Sequence, residues 1–259
     1  MNQDISFLTL ADRKLAYQQR KASKDNEGKV GIVFLGGLAS DMFATKASFL
    51  DQKCVDKGYA YTRFDYRGHG RSSDEFINGC IGDWADDAVK LFDNVITGPQ
   101  ILVGSSMGGW ISMLLMRERP EMVAGFIGIA AAPDFTDKMI VPTLTQTQSE
   151  ALEKEGIFYE ENDYGEPPLP ITKRLMEDGE RQSVLNDPTM FEGPVRLLQG
   201  QNDKEVPWEF ATRIAQNVTS QNVKVTLVKD ADHRFSRPQD LDMIWAEVEA
   251  MLGSYELPS

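Results

Sequence analysis

Two cysteines, Cys54 and Cys80, are all that this 259-residue chain carries. They form no CxxC pair and have no histidine beside them at metal-ligand spacing. A disulfide framework and a structural zinc site are therefore not expected, and a reducing compartment suits the chain. Histidine is equally scarce, with His69 and His233 the only two. No run of about eighteen uncharged apolar residues occurs, so no membrane span is expected. Basic residues are few: 27 Lys and Arg stand against 40 Asp and Glu, a formal net charge of −13. Such a surface repels nucleic acid and anionic lipid, so neither is expected as a partner, and the acidity serves solubility. The segment Met1–Leu10 lacks a basic stretch followed by an apolar core, and a cytoplasmic location is expected.

What is present is an alternation of short apolar strands and amphipathic helices, the pattern of a mostly parallel α/β sheet. Ile5–Leu10 and Leu15–Ala22 read as an opening hairpin. Strands follow at Val30–Leu35, Ala60–Tyr66, Ile101–Val103, Val123–Ala131, Pro194–Gln199 and Val223–Val228. Helices are predicted over Ala44–Lys57, Asp83–Val95, Met107–Arg117, Trp208–Val218 and Asp240–Leu252. In the second of these, Asp83, Asp86 and Asp87 are read as first-turn carboxylates that favour the helix dipole. Residues 133–192 break the rhythm with a polar, irregular stretch centred on Gly165–Pro170. That segment is expected to hold two or three short helices and to cap the sheet, with residues 1–132 and 193–259 forming the core.

Gly104-Ser105-Ser106-Met107-Gly108 is the one G-x-S-x-G in the chain, and it follows a buried strand and opens an apolar helix. A nucleophile elbow needs that strand–turn–helix, because a strained serine at the turn tolerates only small neighbours. Ser106 is the candidate nucleophile. Ser105 is the neighbouring alternative, but no glycine stands two residues before it. A hydroxyl needs a base, and of the two histidines only His233 follows the nucleophile in the order Ser, acid, His. His69 is expected to be a loop residue near the site entrance. Asp203, directly after the strand Pro194–Gln199, is the candidate acid that would accept the imidazole Nδ1–H and fix its tautomer. Glu205 and Asp232 are its rivals. Oxyanion donors are expected from the Met107 backbone N–H and from Leu38, in the loop opened by Gly36-Gly37.

Further matches are Ser40-Asp-Met42, Thr45-Lys-Ala47, Arg63-Phe-Asp-Tyr66, Val206-Pro-Trp208 and Asp232-His-Arg234. Together with the long run Gly98–Trp110 they span residues 30 to 235. On these pieces the chain resembles the α/β-hydrolase branch of the mitochondrial acyl-protein thioesterase and acyl-glucuronide esterase and its bacterial relatives. The resemblance implies an α/β-hydrolase fold and a triad of Ser106, Asp203 and His233. It also implies hydrolysis of small-molecule carboxylic esters or thioesters with no cofactor and no metal. The residues leave open other chemistry on the same triad, such as C–C bond hydrolysis or perhydrolysis, and a non-catalytic small-ligand-binding role.

Overall fold

Strands that read as unbroken apolar runs are the ones covered on both faces, and they form the middle of the sheet. In the computed structural model, which describes residues 4–161, 165 and 167–255, these are β3 (Gly31–Leu35), β5 (Gln100–Ser105) and β6 (Val123–Ile129), each buried along its whole length. They are flanked by β1 (Ser6–Thr9), β2 (Lys14–Arg20) and β4 (Tyr61–Phe64) on one side, and by β9 (Val195–Gly200) and β10 (Val223–Val228) on the other. The order across the eight-stranded sheet is β1-β2-β4-β3-β5-β6-β9-β10. The pairs β1–β2 and β2–β4 are antiparallel, and the remaining neighbouring pairs, from β4 to β10, are parallel.

Side-chain alternation along the central strands feeds two cores. Val33, Leu35 and Leu102 face α2 (Ile81–Asn94), α3 (Met107–Glu118) and α6 (Glu209–Asn217). Ile32, Phe34, Ile101 and Val103 face α1 (Thr45–Lys57) and α7 (Pro238–Ser254). The parallel strands β5, β9 and β10 end at one edge of the sheet, and the loops that follow them carry Ser106, Asp203 and His233. Among the described residues, no helix is long and apolar enough to cross a membrane.

Two readings of the sequence change. Asp83, Asp86 and Asp87 do more than complement a helix dipole. Asp87, with no side-chain exposure, receives the guanidinium groups of Arg13 at 2.7 Å and Arg67 at 2.8 Å, and Asp83 receives Arg67 and Arg174. A buried carboxylate needs such partners, and they come from residues distant in sequence.

Residues 133–192 contain α4 (Gln146–Lys154) and α5 (Lys173–Arg181), and also a two-stranded antiparallel hairpin of β7 (Ile157–Glu160) and β8 (Leu169–Thr172) that the polar composition hid. Asn162–Tyr164 and Glu166 of that segment, and residues 1–3 and 256–259 of the expected core, lie outside the described residues. The neck of the segment is tied: the buried Asp134 accepts from Ser183 Oγ at 2.6 Å, Val184 N–H at 2.8 Å and Leu185 N–H at 3.1 Å. Ile140, Phe158, Ile171 and Leu175 are buried in the main core, whereas Val141 and Tyr159 face outward.

Candidate active site

The turn between β5 and α3 is built by exclusion of side chains. A Cβ on Gly108 would stand 2.1 Å from the Leu35 carbonyl oxygen, one on Gly104 2.4 Å from the Gly108 carbonyl oxygen, and one on Gly109 2.4 Å from Ala131 Cβ. Only glycines let the turn approach β3 and β6 this closely. Ser106 itself adopts φ 53°, ψ −119°, a left-handed conformation that costs a non-glycine residue about 1–3 kcal/mol. The surroundings hold it there: its N–H donates to the Ile129 carbonyl at 3.0 Å, and its own carbonyl accepts from Gly109 and Ala132. Ser105 is the last residue of β5 and is buried, so the structure favours Ser106 as the presented hydroxyl.

His233 lies between Ser106 and Asp203. Its Nε2 is 3.1 Å from Ser106 Oγ and its Nδ1 is 2.9 Å from Asp203 Oδ2. The Asp203 side chain has no exposure, and it meets the cost of burial with four donors. Besides the imidazole, these are Gln199 Nε2 at 2.9 Å to Oδ2, and the N–H groups of Glu205 at 2.9 Å and Val206 at 2.8 Å to Oδ1. Such a fixed carboxylate sets the ring so that Nδ1 carries the proton and Nε2 faces the serine. The loops bearing the acid and the histidine are laced together by Gln201 N–H to the Val228 carbonyl and Asn202 N–H to the Ala231 carbonyl. Gly200 permits this, since a Cβ there would stand 2.2 Å from the Ala231 oxygen.

The two rivals for the acid are placed differently. Asp232 accepts from the Phe235 N–H at 3.2 Å and so shapes the histidine turn. Glu205 does not reach Nδ1; its carboxylate stands 3.4 Å from Nε2, on the serine side of the ring.

The loop after β3 lies against the nucleophile turn: a Cβ on Gly37 would be 3.4 Å from both the Ser105 carbonyl oxygen and Ser106 Cβ. Leu38, in this loop, is partly buried against the main core, and Met107 opens α3 with no exposure. Here the sequence reading of His69 is corrected. His69 is only 4% exposed, enclosed by Tyr66, Phe76 and Trp84 with ring centroids 5.2–5.6 Å away. Its Nε2 accepts from the Ala39 N–H at 3.1 Å, and its Nδ1 meets the Arg67 carbonyl at 3.1 Å. It is a strut under the loop and not a residue of the entrance. Burial pushes its pKa down to about 4, so the ring stays neutral and keeps accepting at Nε2. Asp65 is the second strut, taking the Met42 N–H at 2.6 Å and the Arg71 N–H at 2.8 Å. Neither support, nor Gln199, was found from the sequence. The cluster Asp65-Tyr-Arg-Gly-His-Gly70, rich in polar groups and glycine just after a buried strand, is the signal that could have pointed to the first two.

A serine, an imidazole and a buried carboxylate in series at the strand ends of a mostly parallel sheet define the class: an α/β-hydrolase fold with a candidate nucleophile site. Comparison with known proteins narrows it. The profile of a family described as serine aminopeptidase, S33, matches residues 29–156. The mitochondrial palmitoyl-protein thioesterase ABHD10 of Bos taurus is 33% identical over 250 residues, covering 96% of this chain and 80% of the relative. Among solved structures, a hydrolase of Agrobacterium vitis S4 superposes with a TM-score of 0.90 at 36% identity, covering 96% of this chain and all of the other. The mouse α/β-hydrolase domain-containing protein 10 gives 0.87 at 32% identity, covering 97% and 99%. The chain belongs to the α/β-hydrolase family that includes the palmitoyl-protein thioesterase ABHD10.

Proposed function

We propose that this protein is a serine hydrolase that cleaves carboxylic esters or thioesters through an acyl-enzyme on Ser106. The observation that carries the reading is the continuous chain of contacts from Ser106 Oγ through His233 to Asp203, at 3.1 and 2.9 Å. In the first half-reaction the Ser106 proton passes to His233 Nε2 as Oγ bonds to the acyl carbon, and the leaving group departs with that proton. In the second, water gives its proton to Nε2, its oxygen bonds to the acyl carbon, and Ser106 Oγ recovers the proton as the acid is released. Asp203 holds the ring and stabilises its charged form.

Oxyanion stabilisation is assigned to the backbone N–H groups of Leu38 and Met107. The neighbouring N–H groups of Ala39 and Ser40 are engaged with His69 and the Gly37 carbonyl, which favours Leu38 within its loop. Residues 133–192 are proposed as a cap, supported by the tied neck at Asp134 and by the strands on either side. The thioesterase activity named for the ABHD10 relatives makes acyl thioesters the first substrates to try. A cytoplasmic location is part of this reading and is supported by two buried, free cysteines, which suit a reducing compartment. The test is hydrolysis of nitrophenyl esters and small acyl thioesters by the purified protein, with Ser106→Ala as control. Turnover that survives in Ser106→Ala would refute the reading.

A further inference from the structure

The mechanism leaves one charged group at the site unused. Glu205 has its backbone N–H on Asp203, while its carboxylate reaches the opposite nitrogen of the same histidine, 3.4 Å from Nε2. Any leaving group must come within hydrogen-bond reach of Nε2, about 3 Å, to take its proton. The departing atom therefore lies within about 6.5 Å of this carboxylate. The cap adds a second carboxylate. Glu160, at the end of β7, has its pKa raised by burial first and then by the charge of Glu205, so the two carboxylates feel one another.

We propose that Glu205 is a specificity-determining residue for the leaving group, favouring substrates whose leaving group is cationic or neutral and disfavouring anionic ones. The inference rests on the hydrolase reading above and refines it. Its second consequence concerns the base. A carboxylate beside Nε2 stabilises the imidazolium that forms as Ser106 gives up its proton.

The charged groups around the imidazole come from every element near it. Asp203 and Glu205 stand on the loop after β9, Glu160 on the cap, and Asp232 and Arg234 beside His233 in its own loop. Lys46 of α1 donates from Nζ to the Arg234 carbonyl and feels the charges of Asp232 and Glu205. Of these, Asp203 and Glu205 make the direct contacts to the ring, and Glu205 is the one on the reacting side. Its side chain is 49% exposed, so solvent screening reduces its field well below that of a buried charge. At such a distance and dielectric, one unit of leaving-group charge changes kcat/KM by several-fold, or about tenfold between a cation and an anion of the same size.

The experiment uses three butyryl thioesters of similar size whose thiols differ in charge: thiocholine, its neutral carbon isostere 3,3-dimethylbutane-1-thiol, and 2-mercaptoethanesulfonate. The expected wild-type order of kcat/KM is cationic above neutral above anionic. Glu205→Gln should compress the cation-to-anion ratio about tenfold, Glu205→Asp should restore part of it, and added salt should compress the wild-type ratio. A purely structural role for Glu205 would leave the ratio unchanged. An unchanged ratio in Glu205→Gln, with all three thioesters still cleaved, overturns this inference and leaves the hydrolase reading standing. No cleavage of any thioester or nitrophenyl ester by the wild type, with no fluorophosphonate adduct, overturns both.

Discussion

Acid should reveal His69 before it unfolds much else. In the folded protein both ring nitrogens are engaged, Nε2 accepting from Ala39 and Nδ1 donating to the Arg67 carbonyl. Protonation would set an N–H against the Ala39 N–H inside an aromatic enclosure. Burial therefore depresses the folded pKa from 6.5 to about 4. Between those values the unfolded chain binds a proton that the folded chain refuses, so stability rises with pH. The His69 contribution is complete above about pH 6.5, declines as pH falls, and has no more to lose below about pH 4. The gap corresponds to about 3 kcal/mol, of which about 2 kcal/mol is lost already at pH 5. That pH is above the sequence pI of 4.7. His69→Gln keeps an acceptor for Ala39 but does not titrate. Urea unfolding of both proteins at pH 7 and pH 5 isolates the effect. The wild type should lose about 2 kcal/mol more than the variant over that interval. Equal losses would show that His69 is not held neutral under the loop.

Further outcomes follow from other contacts. Asp203→Asn should lower turnover by about ten thousandfold, as loss of the orienting carboxylate does in serine proteases, whereas Glu205→Gln should cost far less. Steady-state kinetics on a nitrophenyl ester distinguish the two, and a reversed order would make Glu205 the orienting acid. Gly108→Ala puts a methyl 2.1 Å from the backbone oxygen of Leu35, which cannot move without shifting β3. It should cost about 3 kcal/mol and slow fluorophosphonate labelling; an unchanged Tm and labelling rate would contradict the close approach. Asp134→Ala strands the N–H groups of Val184 and Leu185 and should cost about 3 kcal/mol in urea. A neutral result would mean that the neck is not tied by this carboxylate.

Much of the site was legible because its chemistry is encoded locally. Ser106 sits among glycines after an apolar strand, and Asp203 and His233 follow two other strands in a fixed order. Each can be read from a window of a few residues. The supports could not be read that way. Gln199 matters because it points at Asp203, and His69 because Ala39 lies above it, contacts that the folded chain makes across 4 and 30 residues. Glu205 shows the limit most clearly. Proximity to Asp203 made it a rival for the same role, yet the turn sends its carboxylate to the other side of the ring. The hairpin β7–β8 escaped for a different reason: Pro170 sits within one strand, and the other, Ile157–Glu160, is only four residues long. The buried pairing of Asp87 with Arg13 and Arg67 was likewise invisible to helical periodicity.

On the proposed reading, one activated hydroxyl, on Ser106, performs the chemistry. Reaction with a fluorophosphonate, followed by intact-mass and peptide analysis, tests it directly. A single adduct is expected on Ser106, absent in Ser106→Ala and strongly slowed in His233→Ala. An adduct on Ser105, or undiminished labelling of Ser106→Ala, would contradict it.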